Sequence, residues 1–169
     1  MRHSFTNPDR CVAGTIGAPG ERAFFIQARS ENRVISVAVE KAQVQAVAIR
    51  LELMIAEVRK ANPLVVIETL PADDAPLDTP VDEEFQVGAI SLAWNDETQL
   101  IALELYELED DEEDAEGSVL EINFSLGMAA AFAQRSKAVV NAGRLPCPFC
   151  GIPIDPRGHL CPRANGYRR

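Results

Sequence analysis

Twice along this chain the spacing of apolar residues switches from every second position to every third or fourth. That double switch constrains the fold more than any other feature. Residues 22–29 (Arg-Ala-Phe-Phe-Ile-Gln-Ala-Arg) and 33–39 (Arg-Val-Ile-Ser-Val-Ala-Val) are rich in β-branched and aromatic residues, with Ser30-Glu31-Asn32 between them as a short hairpin loop. Upstream, 3–6 and 11–16 read as an outer strand pair broken at Asn7-Pro8-Asp9. Val44, Val47, Leu51, Met54/Ile55 and Val58 then follow helical spacing. That spacing predicts a helix from about Glu40 to Ala61, stopped at Asn62-Pro63 because the residue before proline is pushed out of the helical region. A second β set follows at Phe85–Trp94, Gln99–Leu108 and Val119–Phe124. A second helix is N-capped by Ser125, carries Met128, Phe132, Ser136 and Val139/Val140 down one side, and ends at Gly143.

The order is thus β-β-β-α twice, followed by a tail. No residue-level repeat accompanies it, so a duplication is open rather than established. Hairpins dominate and no βαβ crossover of the Rossmann kind is evident. The fold class expected is α+β: a mainly antiparallel sheet with two helices on one face and a C-terminal zinc-knuckle tail. The division expected is a core domain over 1–143, with acidic loops at 71–84 and 109–117, and a tail over 144–169.

Charge is sharply segregated. Residues 1–60 hold nine Lys/Arg and six Asp/Glu, residues 61–134 hold nineteen acids and no base, and residues 135–169 hold seven bases and one acid, for a net −10. Residues 71–84 read as an acidic, proline-rich loop with too few apolar groups to pack, and Glu109–Glu116 is seven acids and one alanine. Glu109–Glu116 lacks the ligand order of a calcium loop. An acidic body argues against nucleic acid or anionic membranes, but the argument weakens for the basic tail. No apolar run reaches the roughly 18 residues that span a bilayer, and the N-terminus lacks an apolar signal region. The expectation is a cytoplasmic protein without a membrane partner.

Three of the four cysteines fall in the tail. Cys147 and Cys150 flank a tight turn that aims both sulfurs inward, with Gly151 supplying the backbone freedom such a knuckle needs. Pro153, Pro156 and Gly158 suit a chain reversal, and His159 and Cys161, two apart on an extended segment, point to one side. Cys147, Cys150, His159 and Cys161 therefore form a closed Cys₃His donor set, the shell of one structural Zn²⁺. The competing readings are a redox dithiol, which ordinarily opens a helix in a thioredoxin-like setting, and a catalytic zinc, which keeps one position open for water. The remaining cysteine, Cys11, sits in an apolar stretch and reads as a buried small hydrophobe.

Arg157, Arg163, Tyr167, Arg168 and Arg169 are the candidate contacts for a partner. They suit phosphates with a base stacked on Tyr167, and they equally suit the chain's own acidic segments. Glu104, Glu107 and Glu109 read as a solvated sheet face rather than a catalytic carboxylate pair, and Trp94 as a strand-end packing residue. His3 is the only histidine outside the proposed zinc site. With so little acid–base equipment, enzyme function is hard to argue.

Phe5-Thr6-Asn7-Pro8-Asp9-Arg10, Phe124-Ser125-Leu126-Gly127-Met128 and Cys147-Pro148-Phe149-Cys150-Gly151…Gly158-His159-Leu160-Cys161-Pro162-Arg163 resemble an uncharacterised actinobacterial family, domain of unknown function 3090. The resemblance covers essentially the whole chain. It implies a bacterial cytoplasmic protein whose cysteine-rich end is part of the domain, and it implies no activity. The function expected is a non-enzymatic, zinc-stabilised module that binds a protein partner or assembles with itself. The alternatives are an RNA-binding factor using the arginine-rich tail and an uncharacterised metal-dependent enzyme.

Overall fold

The computed structural model describes residues 1–18, 20–109 and 117–142. The elements are β1 (Arg2–Thr6), β2 (Arg10–Ile16), β3 (Ala23–Ser30), β4 (Arg33–Val39), α1 (Lys41–Ala61), β5 (Glu83–Asn95), β6 (Leu100–Glu107), β7 (Val119–Ser125) and α2 (Leu126–Asn141). This is an α+β fold with two helices and one seven-stranded sheet of order β1-β7-β6-β5-β4-β3-β2.

The sheet is mixed, which departs from the simple hairpin expectation. β2–β3, β3–β4, β5–β6 and β6–β7 are antiparallel, but β4–β5 and β1–β7 are parallel. A parallel neighbour cannot be reached by a hairpin. The chain therefore crosses from β4 to β5 through α1 and residues 62–82, a βαβ connection that apolar spacing alone did not reveal. Nor do 3–6 and 11–16 pair with one another. They belong to opposite ends of the strand order, although only Asn7, Pro8 and Asp9 separate them.

That separation forces the sheet to curl. Laid flat, seven strands at about 4.8 Å spacing would hold their outer members roughly 29 Å apart. Three linking residues cannot span that distance, since an extended chain advances only about 3.3–3.6 Å per residue. Hydrogen bonds mark the meeting of the edges. Asn7 N–H donates to the Asn123 carbonyl (2.7 Å) on one side and Asp9 N–H to the Arg29 carbonyl (2.8 Å) on the other. Asn7 makes this corner with φ 49°, a conformation asparagine tolerates better than most residues. Arg33 ties the corner down by donating to the Ser4 carbonyl (3.0 Å), its guanidinium 4.3 Å from the Phe5 ring centre.

The curl also exposes a duplication in the topology. Strand β5 runs for 13 residues. Its first part lies parallel to β4 and its second part pairs antiparallel with β6, with a register shift between Val87 and Ile90. Strands β1 and β2 behave as one such bent strand: β1 lies parallel to β7, and β2 pairs antiparallel with β3. Each half is thus a bent strand, a hairpin partner, a third strand and a helix, and each bent strand begins against the other half's third strand. The hairpin registers agree as well. Phe24↔Val39 and Gln27↔Ser36 in the first half match Ile101↔Phe124 and Glu104↔Glu121 in the second.

One apolar core fills the concave side. Strand positions Ile26, Val37, Ile101, Leu103, Leu105, Leu120, Ile122 and Phe124 meet Val44, Val47 and Leu51 of α1 and Phe132 and Ala133 of α2. Phe124 and Phe132 pack edge to face at 6.1 Å. The alternating burial of β6 and β7 follows from one face on this core and one outside. Helix α1 is closed at its start by a capping box between Glu40 and Gln43, and α2 by the Ser125 side chain, which accepts from the Met128 N–H (3.2 Å).

Candidate functional site

Strands β2 and β3 break the alternating pattern. Arg10, Cys11, Val12, Ala13 and Gly14 are all buried, so β2 is covered on both faces. The second cover is the 62–82 connection, which crosses the outer face of β2 and β3 as a strap. The expectation that 71–84 has too little apolar surface to pack is therefore corrected. Over β2 and β3 the strap has one buried apolar anchor, and the rest of its attachment there is polar and ionic.

That anchor is Leu77, 6% exposed, seated over Gly14. A Cβ at position 14 would lie 2.5 Å from Leu77 Cδ2 and 2.6 Å from Cγ, so only glycine leaves room for the leucine. The Gln27 side chain then imitates a strand edge. Its Oε1 accepts from the Asp78 N–H (2.8 Å), and its Nε2 donates to the Asp78 carbonyl (3.0 Å) and to Ser36 Oγ (3.0 Å).

Five charges complete the attachment. Arg10 donates from Nε and Nη2 to the two Asp73 oxygens (2.7 and 3.1 Å) and from Nη2 to the Ala75 and Pro76 carbonyls. Arg29 donates to both Asp78 oxygens at 2.9 Å, and Arg10 Nη1 lies 3.4 Å from Asp78 Oδ2. From α2, Arg135 donates to the Ala13 carbonyl (2.8 Å) and to the Asp73 carbonyl (2.6 Å). Arg135 thereby satisfies a backbone group of the terminal strand β2. The Arg10 guanidinium holds the Asp73 carboxyl below its ordinary range. Reciprocally, the hydrogen bond to Asp73 raises the Arg10 pKa, while burial lowers that of Arg135.

Together Asp9, Arg10, Arg29, Asp73, Asp78 and Thr79 border an open polar cleft of about 620 Å³. Its two arginines, Arg10 and Arg29, are paired with the two strap aspartates, Asp73 and Asp78, so the cleft as built is a neutralised clamp. It suits holding a strap in place, and it suits a polar ligand only if that ligand displaces one of these pairs.

The other end of the strap meets α2. Glu68 Oε1 accepts from Ser125 Oγ (2.7 Å), and Gly127 comes so close that a Cβ there would lie 2.6 Å from the Glu68 carbonyl oxygen. Two sequence segments that looked distinctive, Phe5–Arg10 and Phe124–Met128, thus each contain a residue that holds the strap, Arg10 in the first and Ser125 in the second.

A second, smaller groove of about 340 Å³ lies between the end of α1 and the β5–β6 turn, bordered by Met54, Val58, Trp94 and Gln99. Trp94 packs at the strand end as expected and donates from Nε1 to Asp96 Oδ1 (3.2 Å). His3 is buried, with Nε2 3.8 Å from Glu84. Cys11 is a buried free thiol whose pKa burial pushes up to about 12, so it is inert as a nucleophile. Glu104 faces Glu121 across β6 and β7, with Arg2 against both carboxylates, Tyr106 donating to Glu104, and Asn123 donating to Glu121 (2.9 Å).

The sequence candidates Cys147, Cys150, His159, Cys161, Arg157, Arg163, Tyr167, Arg168 and Arg169 lie outside the described residues, as does most of the 109–117 acidic loop. Among the described residues no three His, Cys, Asp or Glu side chains gather as a metal site. No described helix is long and apolar enough to cross a membrane.

Sequence reasoning missed the clamp, although two signals pointed to it: an arginine opening an apolar run at Arg10-Cys11-Val12-Ala13, and a glycine inside a strand at Gly14. Comparison with curated proteins and with solved structures finds no match for this chain. A family model described as a protein of unknown function, DUF3090, matches residues 3–161, nearly the full length, and the chain belongs to that family.

Proposed function

We propose that this protein is a zinc-stapled, non-catalytic binding module that recognises a protein surface through the outward face of α1, a second copy of the chain being the first partner to test. One observation carries the reading. Ala46, Ile49, Leu53 and Ala56 are exposed at spacings that form a single stripe along α1, with Ile49 and Leu53 at 51% and 55% exposure. Adjacent exposed aliphatics on one helical stripe are the seam into which another helix packs.

The zinc part of the proposal rests on donor chemistry. Cys147, Cys150, His159 and Cys161 supply three thiolates and an imidazole, a soft closed set that suits structural zinc, and the family match runs to Cys161. Such a metal would supply folding free energy to a segment too short to build its own core. The compensated charges of the strap cleft fit a binding module, since its arginines already have partners within the chain.

The test has two arms. Metal analysis of the purified chain should give one zinc, lost in Cys150→Ser together with a fall in melting temperature; metal retained in that variant refutes the ligand set. Native mass spectrometry and pull-down from cell extract should reveal a dimer or a bound protein that Leu53→Asp abolishes. A lone monomer without partner, or binding unaffected by Leu53→Asp, refutes the surface. Capture of RNA that weakens steeply with salt would replace the protein-partner reading with a nucleic-acid one.

A further inference from the structure

The two halves of the fold treat their outer faces differently. In the first half, the outward positions Val12, Gln27 and Ser36 are 4%, 1% and 2% exposed because the strap lies over them. Their register equivalents in the second half follow from the pairings. Val12↔Gln27 corresponds to Ser91↔Glu104, Gly14↔Phe25 to Ala93↔Ala102, and Gln27↔Ser36 to Glu104↔Glu121. Here Ser91 and Ala93 are exposed, and among the described residues no segment lies across them. Small side chains on β5 leave the same kind of shallow seat that Gly14 provides on β2.

The charge on this face is inverted. Where the first half presents Arg10 and Arg29 to an acidic strap, the second presents two glutamates directly opposite one another on adjacent strands. Like charges in that position repel. Among the described residues Arg2 alone spans them, and its side chain is 52% exposed.

The strap leaves the end of α1 and crosses the first half on its way to β5. The corresponding departure point in the second half is the end of α2, where Arg22 donates to the carbonyls of Val139 (3.3 Å) and Ala142 (2.5 Å). Residues 143–169 follow, a segment longer than the 62–82 strap, and it carries Arg144, Arg157, Arg163, Arg168 and Arg169 against one acid, Asp155. We propose that the C-terminal segment docks across the outer face of β5, β6 and β7 with its arginines on Glu104 and Glu121, the charge-reversed counterpart of the strap on β2 and β3. The docking does not require the metal, so its outcome separates from that of the zinc staple.

The test is site-specific photo-crosslinking in the full-length chain. Benzoylphenylalanine is placed at Ala93 and, separately, at Ser91, with the exposed Ala72 on the strap as the control position. Isotopically heavy and light chains are mixed before irradiation. The expected result is crosslinks within one chain from 91 and 93 to peptides of 143–169, several-fold stronger than from position 72. Their yield should fall several-fold in 0.5 M salt (on the order of a 4 Å screening length) and in Glu104→Gln/Glu121→Gln. Absence of tail peptides at both positions overturns the proposal. So do equal yields from position 72, heavy–light crosslinks alone, which place the tail on a neighbouring copy, or yields indifferent to both salt and the double variant.

Discussion

Exchanging Gly14 for alanine tests whether the strap is held by one apolar seat. The added Cβ would stand 2.5, 2.6 and 3.1 Å from three atoms of Leu77, the first two closer than real Cβ contacts allow. The leucine must therefore leave its seat. Burying a leucine side chain stabilises by about 2 kcal/mol, and Leu77→Ala should cost about that amount, the low end of leucine truncations because the seat opens onto a polar cleft. Gly14→Ala should cost less, about 1–2 kcal/mol, since relieving glycine's excess unfolded entropy returns roughly 0.5–1 kcal/mol. The decisive measurement is the double variant. With Leu77 already truncated, the new methyl has room, so the pair should together cost about 2 kcal/mol rather than the 3–4 expected from their sum. Urea unfolding of the four proteins reads this directly from midpoints, provided the m-values agree. Additive costs would refute the seat: they would mean that Gly14 matters for β2 itself and that Leu77 is held by something else.

Three further outcomes follow from the same contacts. Asp73 is held below the ordinary carboxylate range by Arg10, so its contribution is complete above the unfolded value of about 4 and fades as pH falls through the lower folded value; Asp73→Asn should destabilise the chain at neutral pH and converge on the parent toward about pH 2, as read by urea midpoints across pH. Ser125→Ala removes the α2 cap and the bond to Glu68 and should cost about 1 kcal/mol, whereas Gly127→Ala drives a methyl against the Glu68 backbone and should cost about 1–3 kcal/mol, both measurable by thermal melts. Thiol titration after chelation should label Cys147, Cys150 and Cys161 rapidly and leave Cys11 unreactive until the chain is denatured, because burial raises its pKa to about 12.

What the sequence made legible was local. The 30–32 turn, the extent of α1 and the Ser125 cap were readable because each is decided within a few residues by periodicity, turn chemistry or a cap. What it hid was decided across long separations. Strand β1 has five residues and takes its partner from 119–123, and nothing within the strand names that partner. The parallel step from β4 to β5 was hidden because its return path is a strap without secondary structure. Val65 and Ile67, too brief a run to assign from sequence, turn out to pack at the margin of the core as part of that path. Of the candidate site, the clamp residues were visible only as anomalies, an arginine and a glycine in a buried strand. The Cys147, Cys150, His159 and Cys161 set lies outside the described residues, and its proposal as a zinc site rests on side-chain identity and short spacing alone.

The segregated charge acquires a structural meaning that composition alone could not supply. Residues 61–134 hold nineteen acids and no base, and the acidic stretch at 71–84 within them read as a loop unable to pack. Yet Asp73 and Asp78 are spent on Arg10, Arg29 and Arg135, and Glu121 on Arg2, bases drawn from either side of that region. Segregation along the chain is thus converted by the curled sheet into apposition in space. A basic segment at 1–60 can bind an acidic strap at 62–82 because β2 and β3 lie beneath it. The same logic leaves Glu104 and Glu121 with one arginine between two carboxylates, while the remaining arginine-rich stretch of the chain begins where α2 ends. A sequence that kept each charge beside its partner would form these pairs in the unfolded chain too, and they would add little to folding. Holding the partners 49 residues or more apart makes each pair form only when the sheet closes, which ties the strap to the folding of the sheet beneath it.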